Sequence, residues 1–176
     1  MGTVMWGAEI AEVYDATSAH MFTPEVLDPT VDLLADLAGG GPALELAIGT
    51  GRVGLALSAR GTEVHGIELS PHMVEVLRRK AAAGAVEVTV GDMATTRLDR
   101  EFTLVYLVYN TITNLTTQDE QVAVFRNAAA HLVPGGCFVI ELHVPQVRRL
   151  PPGELARVFT LEDGHVGAET FDDPLT

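Results

Sequence analysis

Apolar positions along the chain switch regularly between a helical and a strand period. Residues 7–20 read as a helix. Pro24 opens a second one over 24–38, with Val26, Leu27, Val31, Leu34 and Leu37 on one side. Glycines 39–41 and Pro42 end it. A short apolar strand follows at 43–48, then a glycine loop and a helix over 52–60 that Gly61 stops. The unit then repeats, with a strand at 63–69 and a helix opened by Ser70-Pro71 and running to 83. Strands follow at 86–90 and 103–109, then a helix over 118–132 closed by Pro134-Gly135-Gly136, and a fifth strand at 137–142. Strands that are mostly apolar on both faces and alternate with helices predict an α/β, Rossmann-like doubly wound sheet. It should be mostly parallel, with helices on both faces and right-handed crossovers.

After Pro145 the pattern weakens. Residues 150–153 form a Pro/Gly break, and 157–162 and 165–171 read as two strands around the turn signal Asp163-Gly164. The expected organisation is one domain over 1–176: N-terminal helices over 1–38, a ligand-binding core over 42–145, and a hairpin or lid over 146–176.

Composition narrows the class. With 176 residues, 47% of them apolar, the chain can bury a self-sufficient core and is not of the disordered type. No apolar run approaches the roughly 18 residues of a membrane span, and the first six residues lack a signal-peptide pattern. The single cysteine, Cys137, excludes an internal disulfide and a multi-thiol zinc site. No histidine pair has metal-ligand spacing. A cytoplasmic setting without a membrane partner is expected. The net charge is −13, and residues 1–51 carry eight carboxylates with no lysine or arginine. Nucleic-acid binding needs a basic face, so no nucleic-acid partner is expected. The basic run Arg78-Arg79-Lys80 reads as a solvated helix face.

The chemistry lies in the first strand–helix junction. Gly49, Gly51 and Gly54 spell G-x-G-x-x-G, which alone fits a dinucleotide. Glycines at such a turn let backbone approach a ligand without a Cβ in the way. Ligands of open parallel sheets bind at the carboxyl ends of strands, where the strand order reverses. Three acids bear on the choice of ligand. Glu45, four residues before Gly49, would repel a pyrophosphate but suits a ligand with sulfonium and ammonium charges. Glu68 ends the second strand, where a carboxylate can accept both hydroxyls of a ribose. Gly91-Asp92-Met93 follows the third strand, offering an acceptor for an exocyclic amine and a thioether to pack on a flat ring. The acids are 23 and 24 residues apart, one strand–helix unit each, so they should line one sheet edge. The alternatives are a buried structural role for Glu45, capping roles for Glu68 and Asp92, and simple turns at Gly49 and Gly51.

These motifs resemble the class I S-adenosylmethionine (SAM)-dependent methyltransferases, and the resemblance covers residues 7–145. Residues 44–53 resemble the family's first motif, 66–73 its ribose-binding strand end and following helix, 91–93 its adenine motif, and 132–140 the turn that feeds its fifth strand. The resemblance implies SAM as cofactor, held by Glu45, Gly49, Gly51, Glu68, Leu69, Met73, Asp92 and Met93. Tyr109 and Asn110 would sit beside the methyl group. Tyr14 resembles an N-terminal aromatic that closes over the cofactor, with simple packing as its alternative. Ala47 stands where the family most often has a glycine, which implies a slightly displaced methionine end. The family's sheet usually has seven strands, so the hairpin is either its last two strands or a substrate lid with the closing strands absent. The lid reading is favoured. It leaves strand five an exposed apolar edge and predicts a tendency to form a homodimer or to aggregate.

The implied reaction is displacement at the sulfonium methyl, which needs alignment of donor and acceptor rather than a protein nucleophile. His143, after strand five, could serve as general base or be a surface histidine. The acceptor expected is oxygen or nitrogen of a small molecule. The rivals are a SAM-binding domain without turnover, or a truncated one, and an NAD-dependent oxidoreductase.

Overall fold

A computed structural model of the chain describes residues 6–82, 84–143, 156–162 and 165–170. They fall into two compact units, Met1–Leu142 and His143–Thr176. In the first, helices α1 (Ala8–Thr17) and α2 (Pro24–Ala38) precede the alternation of β1 (Ala43–Leu46), α3 (Arg52–Ala59), β2 (Val64–Glu68), α4 (Pro71–Lys80) and β3 (Glu87–Val90). Strand β4 (Phe102–Leu107), a 3-10 turn at Thr111–Asn114, α5 (Gln118–His131) and β5 (Leu132–Ile140) complete it. In the second unit β6 (Ala156–Glu162) and β7 (His165–Thr170) pair antiparallel. The turn signal Asp163-Gly164 and the break at 150–153 lie outside the described residues.

The sheet is parallel throughout, in the order β3-β2-β1-β4-β5. This is the doubly wound α/β class expected from the alternation. Strand order reverses between β1 and β4, so the crevice above their carboxyl ends is the topological place for a ligand. Strand residues bury both faces. Leu44, Leu46, Val105 and Leu107 pack with Val124 and Ala128 of α5 on one side. Ala43, Leu104 and Tyr106 pack with Val31 and Leu34 of α2 and with Val53 and Leu57 of α3 on the other.

Of the boundaries that differ from the sequence pattern, three are shaped by special backbone. Strand β1 ends at Leu46 because Ala47 turns into the left-handed region at φ 53°, and β4 ends at Leu107 ahead of Tyr109 and Asn110 at φ 60° and 55°. Strand β5 begins at Leu132. Its ladder to β4 jumps from Phe102↔Leu132 to Leu104↔Cys137, an irregularity that Gly135 at φ 86° accommodates. The basic run of α4 is also not simply solvated. Arg79 pairs with Glu12 at 2.6 Å, and Lys80 pairs with Asp15, so the end of α4 is cross-linked to α1.

Helix α5 holds the loop after β3 from behind. Asn127, fully buried, donates its amide to the carbonyls of Met93 at 2.6 Å and Thr96 at 3.0 Å. One turn on, His131 Nε2 accepts the Leu98 N–H at 3.0 Å, which leaves Nδ1 to carry the proton and donate to the Asn127 carbonyl at 2.9 Å. Asn127→Ala removes the donor from one buried and one part-buried hydrogen bond to these carbonyls. It should lower stability by about 2 kcal/mol, measured by denaturant unfolding; a change under about 0.5 kcal/mol, the range of a neutral surface substitution, would show that the loop does not depend on this anchor.

Candidate functional site

The glycine loop between β1 and α3 is built from left-handed backbone. Ala47, Gly49 and Gly51 sit at φ 53°, 57° and 86°, which turns the chain abruptly out of the sheet and into α3. The Ile48 N–H stays on the Ile67 carbonyl of β2 at 3.1 Å. Gly51 is needed for packing, since a Cβ there would lie 2.9 Å from Leu77 Cδ1. At Gly49 the space beside the backbone is open, the nearest atom to a Cβ being the Ala47 carbonyl oxygen at 4.0 Å.

Glu68 joins this loop to its neighbour. One carboxylate oxygen accepts the Gly49 N–H at 2.9 Å, the other the Ser70 N–H at 2.8 Å. Burial raises its pKa from the ordinary carboxylate value, opposed by these N–H donors. Ser70 caps α4 through the Met73 N–H at 3.3 Å and donates its hydroxyl to the Trp6 carbonyl at 2.5 Å. After β3, Asp92 Oδ1 accepts the Ala94 N–H at 2.7 Å. Each Glu68 oxygen and Asp92 Oδ2 can still accept. These acceptors suit a ribose diol and an exocyclic amine side by side.

The far side of the crevice is set by the end of β4. Tyr109 and Asn110, consecutive in the left-handed region, reverse the chain into the 3-10 turn. The Tyr109 N–H is held by a Glu141 carboxylate oxygen at 2.8 Å, and the Arg52 guanidinium lies 5.2 Å from the centre of its ring. For Tyr109 this costs about 1–2 kcal/mol, the kind of strain that concentrates at functional sites, whereas asparagine adopts the region more readily.

Helix α1 supplies the remaining wall. Ala11 packs on Met73 and Val76 of α4 with Trp6 and Tyr14 alongside, the two rings meeting edge to face at 5.7 Å. Burial, with the neighbouring Tyr109 second, raises the Tyr14 pKa. These elements enclose a cavity of about 440 Å³, a size suited to a small-molecule ligand.

Ten of the residues expected from sequence line this cavity. They are Ala47 and Gly49; Glu68, Leu69 and Met73; Asp92 and Met93; Tyr109 and Asn110; and Tyr14. Gly51, Glu45 and His143 are not among its lining residues. Gly51 instead lets α4 approach. Glu45 points into the sheet face, where it is 2% exposed, directly opposite Tyr106 in the ladder. It accepts the Tyr106 hydroxyl at 3.0 Å, and burial raises its pKa to about 8. Burial thus favours its protonated form. Gly54 makes room for it: a Cβ there would lie 2.6 Å from Glu45 Oε2. His143 is exposed and belongs to the second unit. Sequence reasoning missed the contributions of Trp6, Ile10, Thr17 and Ser18 around α1, and of Thr111, Thr113, Asn114 and Leu115 after β4. The short apolar-polar pattern of α1 was the available signal, but its docking on α4 is tertiary. No cluster of three or more metal-ligating side chains occurs among the described residues.

Comparison with known proteins agrees with this geometry. The model of the methyltransferase domain family matches residues 43–136. A cypemycin N-terminal methyltransferase from Streptomyces sp is 30% identical over 140 residues, 76% of this chain and 57% of that protein. Among solved structures, the CcbJ methyltransferase from Streptomyces caelestis superposes with a TM-score of 0.73 at 35% identity, covering 98% of this chain and 71% of that one. SAM-bound CalS10, an amino pentose methyltransferase from Micromonospora echinaspora, gives a TM-score of 0.68 at 26% identity, covering 83% and 61%. The chain spans a little over half the length of the first curated relatives it matches. It belongs to the class I SAM-dependent methyltransferase family.

Two expectations follow. Ala47→Gly removes a left-handed Cβ whose cost exceeds the added glycine entropy. It should raise stability by about 0.5–1 kcal/mol; a lower melting temperature would show that Ala47 is unstrained. Glu45 has a folded pKa of about 8 against an ordinary 4.5. The neutral acid's contribution is complete below 4.5 and is lost as pH rises through 8. Thermal melts should therefore show wild type losing stability relative to Glu45→Gln across that window, whereas a constant difference would rule out a raised pKa.

Proposed function

We propose that the chain transfers the methyl group of SAM to an amine nitrogen of a small molecule. Glu68 would accept both ribose hydroxyls, and Asp92 the adenine amine with Met93 against the ring. The loop from Ala47 to Gly49 would face the methionine portion. Tyr109 and Asn110 would border the methyl, and Tyr14 would cover it from α1. When bound, SAM supplies a methyl already activated by its positive sulfur. The protein's own work is then to hold donor and acceptor in line and exclude water.

The observation that carries nitrogen over oxygen is the composition of the cavity wall. Among the described residues, that wall has no histidine, lysine or cysteine, and its only acids are Glu68 and Asp92, both engaged by backbone N–H groups. Among the cavity-lining side chains, those that follow Tyr109 are neutral and polar, Asn110, Thr111, Thr113 and Asn114, while the charged Arg52 and Glu141 beside Tyr109 are not part of the lining. An alcohol attacks well only when a base takes its proton as the bond forms. A neutral amine brings its own lone pair and can release its proton to water afterwards. The relatives' names point the same way, one acting on an N-terminus and another on an amino pentose.

Titration calorimetry with S-adenosylhomocysteine (SAH) tests the cofactor site. We expect saturable one-site binding, weakened about tenfold or more in Glu68→Ala and in Asp92→Asn, with no heat from NADH. Unchanged affinity in both variants would remove these residues from the site. For the acceptor, methyl-labelled SAM is offered with an amino sugar and with its hydroxyl analogue. Label on the amine supports the proposal, and equal labelling of the hydroxyl analogue sinks the preference for nitrogen.

A further inference from the structure

Asp15 lies one residue beyond Tyr14 on α1. Its Oδ1 accepts the Thr50 hydroxyl at 2.6 Å, and its Oδ2 pairs with Lys80 at the end of α4. Thr50 is 1% exposed and stands between Gly49 and Gly51, so the two left-handed glycines fix its direction. One helical turn therefore presents Tyr14 to the cavity and Asp15 to the loop that forms the cavity floor. The neighbouring Arg79–Glu12 pair is more than half exposed on both sides and reaches only α4; pairs of that kind contribute little. The Asp15–Thr50 bond is charge-assisted, part-buried and ends inside the glycine loop.

We propose that Asp15 is a positioning residue of the cofactor site, coupling the placement of α1 and Tyr14 to the conformation of the glycine loop through Thr50. The inference rests on the reading of the cavity as the SAM site. With Asp15 removed, Thr50 keeps a buried hydroxyl without its acceptor, and α1 loses its polar tie to the loop. The aromatic wall and the backbone floor are then no longer held in one register.

The test is a double-mutant cycle on SAH affinity in the full chain, with melting temperature recorded in parallel. Asp15→Ala and Thr50→Val should each weaken SAH binding about tenfold, and the double variant no more than the worse single one. Asp15→Asn keeps an oxygen that can accept from Thr50 and should stay within about threefold of wild type, half a logarithm unit or less of the tenfold scale. Additive losses, an equally damaged Asp15→Asn, or a lowered melting temperature with SAH affinity intact would overturn the coupling. If wild type itself does not bind SAH, the cofactor reading fails. If wild type binds and Asp15→Ala binds equally well, only this inference fails.

Discussion

The two oxygens of Glu68 tie the glycine loop after β1 to the start of α4, and the rest of the site is arranged around that junction. One oxygen fixes the Gly49 amide of the loop after β1, the other the Ser70 amide that starts α4. Ser70 in turn caps α4 and reaches the Trp6 carbonyl ahead of α1. The carboxylate is 5% exposed, a placement that would be costly without two backbone donors. Its position at the end of β2, beside the reversal of strand order, gives it this span. The floor, one wall and the covering helix of the cavity thus share one hydrogen-bonded chain.

Around this junction the backbone is held where side chains rarely sit. Ala47, Tyr109 and Asn110 occupy the left-handed region on either side of the crevice. Such conformations persist only when their surroundings over-determine them. Here Gly54 and Gly66 let the core close tightly beneath the loop, against Glu45 and Ile48, while Glu141 holds the Tyr109 amide. The loop carrying Asp92 and Met93 is fixed from the opposite side by Asn127 and His131. The Asp92–Met93 loop is therefore braced by buried polar groups of α5 that do not line the cavity, and the Tyr109 turn by an exposed carboxylate just beyond β5.

Charge is distributed to the same end. Helix α1 carries Glu9, Glu12 and Asp15, while the last turn of α4 carries Arg78, Arg79 and Lys80, cations that also suit a helix C-terminus. The covering helix is thus attached by polar contacts over a small apolar patch of Ala11, Met73 and Val76. That is a weaker attachment than the Leu/Val packing that holds α2, α3 and α5 to the sheet.

The sequence by itself determined the alternation of strands and helices, hence the parallel sheet, and placed Glu68 and Asp92 at successive strand ends one unit apart. Those features are local or periodic: apolar runs, glycine stops, and a Ser-Pro helix start are written in neighbouring residues. Tertiary structure alone decided the rest. Glu45 has the spacing of a ligand-facing acid. Alternation with Leu44 and Leu46 turns it to the face covered by α3, where Tyr106, 61 residues away, meets its carboxyl, and pairing across strands is not a local property. Arg79 and Lys80 read as a solvated face until α1 packs beside them, and the contributions of Trp6, Thr17 and Ser18 depend on the same docking. The early ends of β1 and β4 were likewise hidden, since alanine and tyrosine carry no propensity for left-handed backbone. Only the assembled sheet and its surrounding hydrogen bonds force them into it.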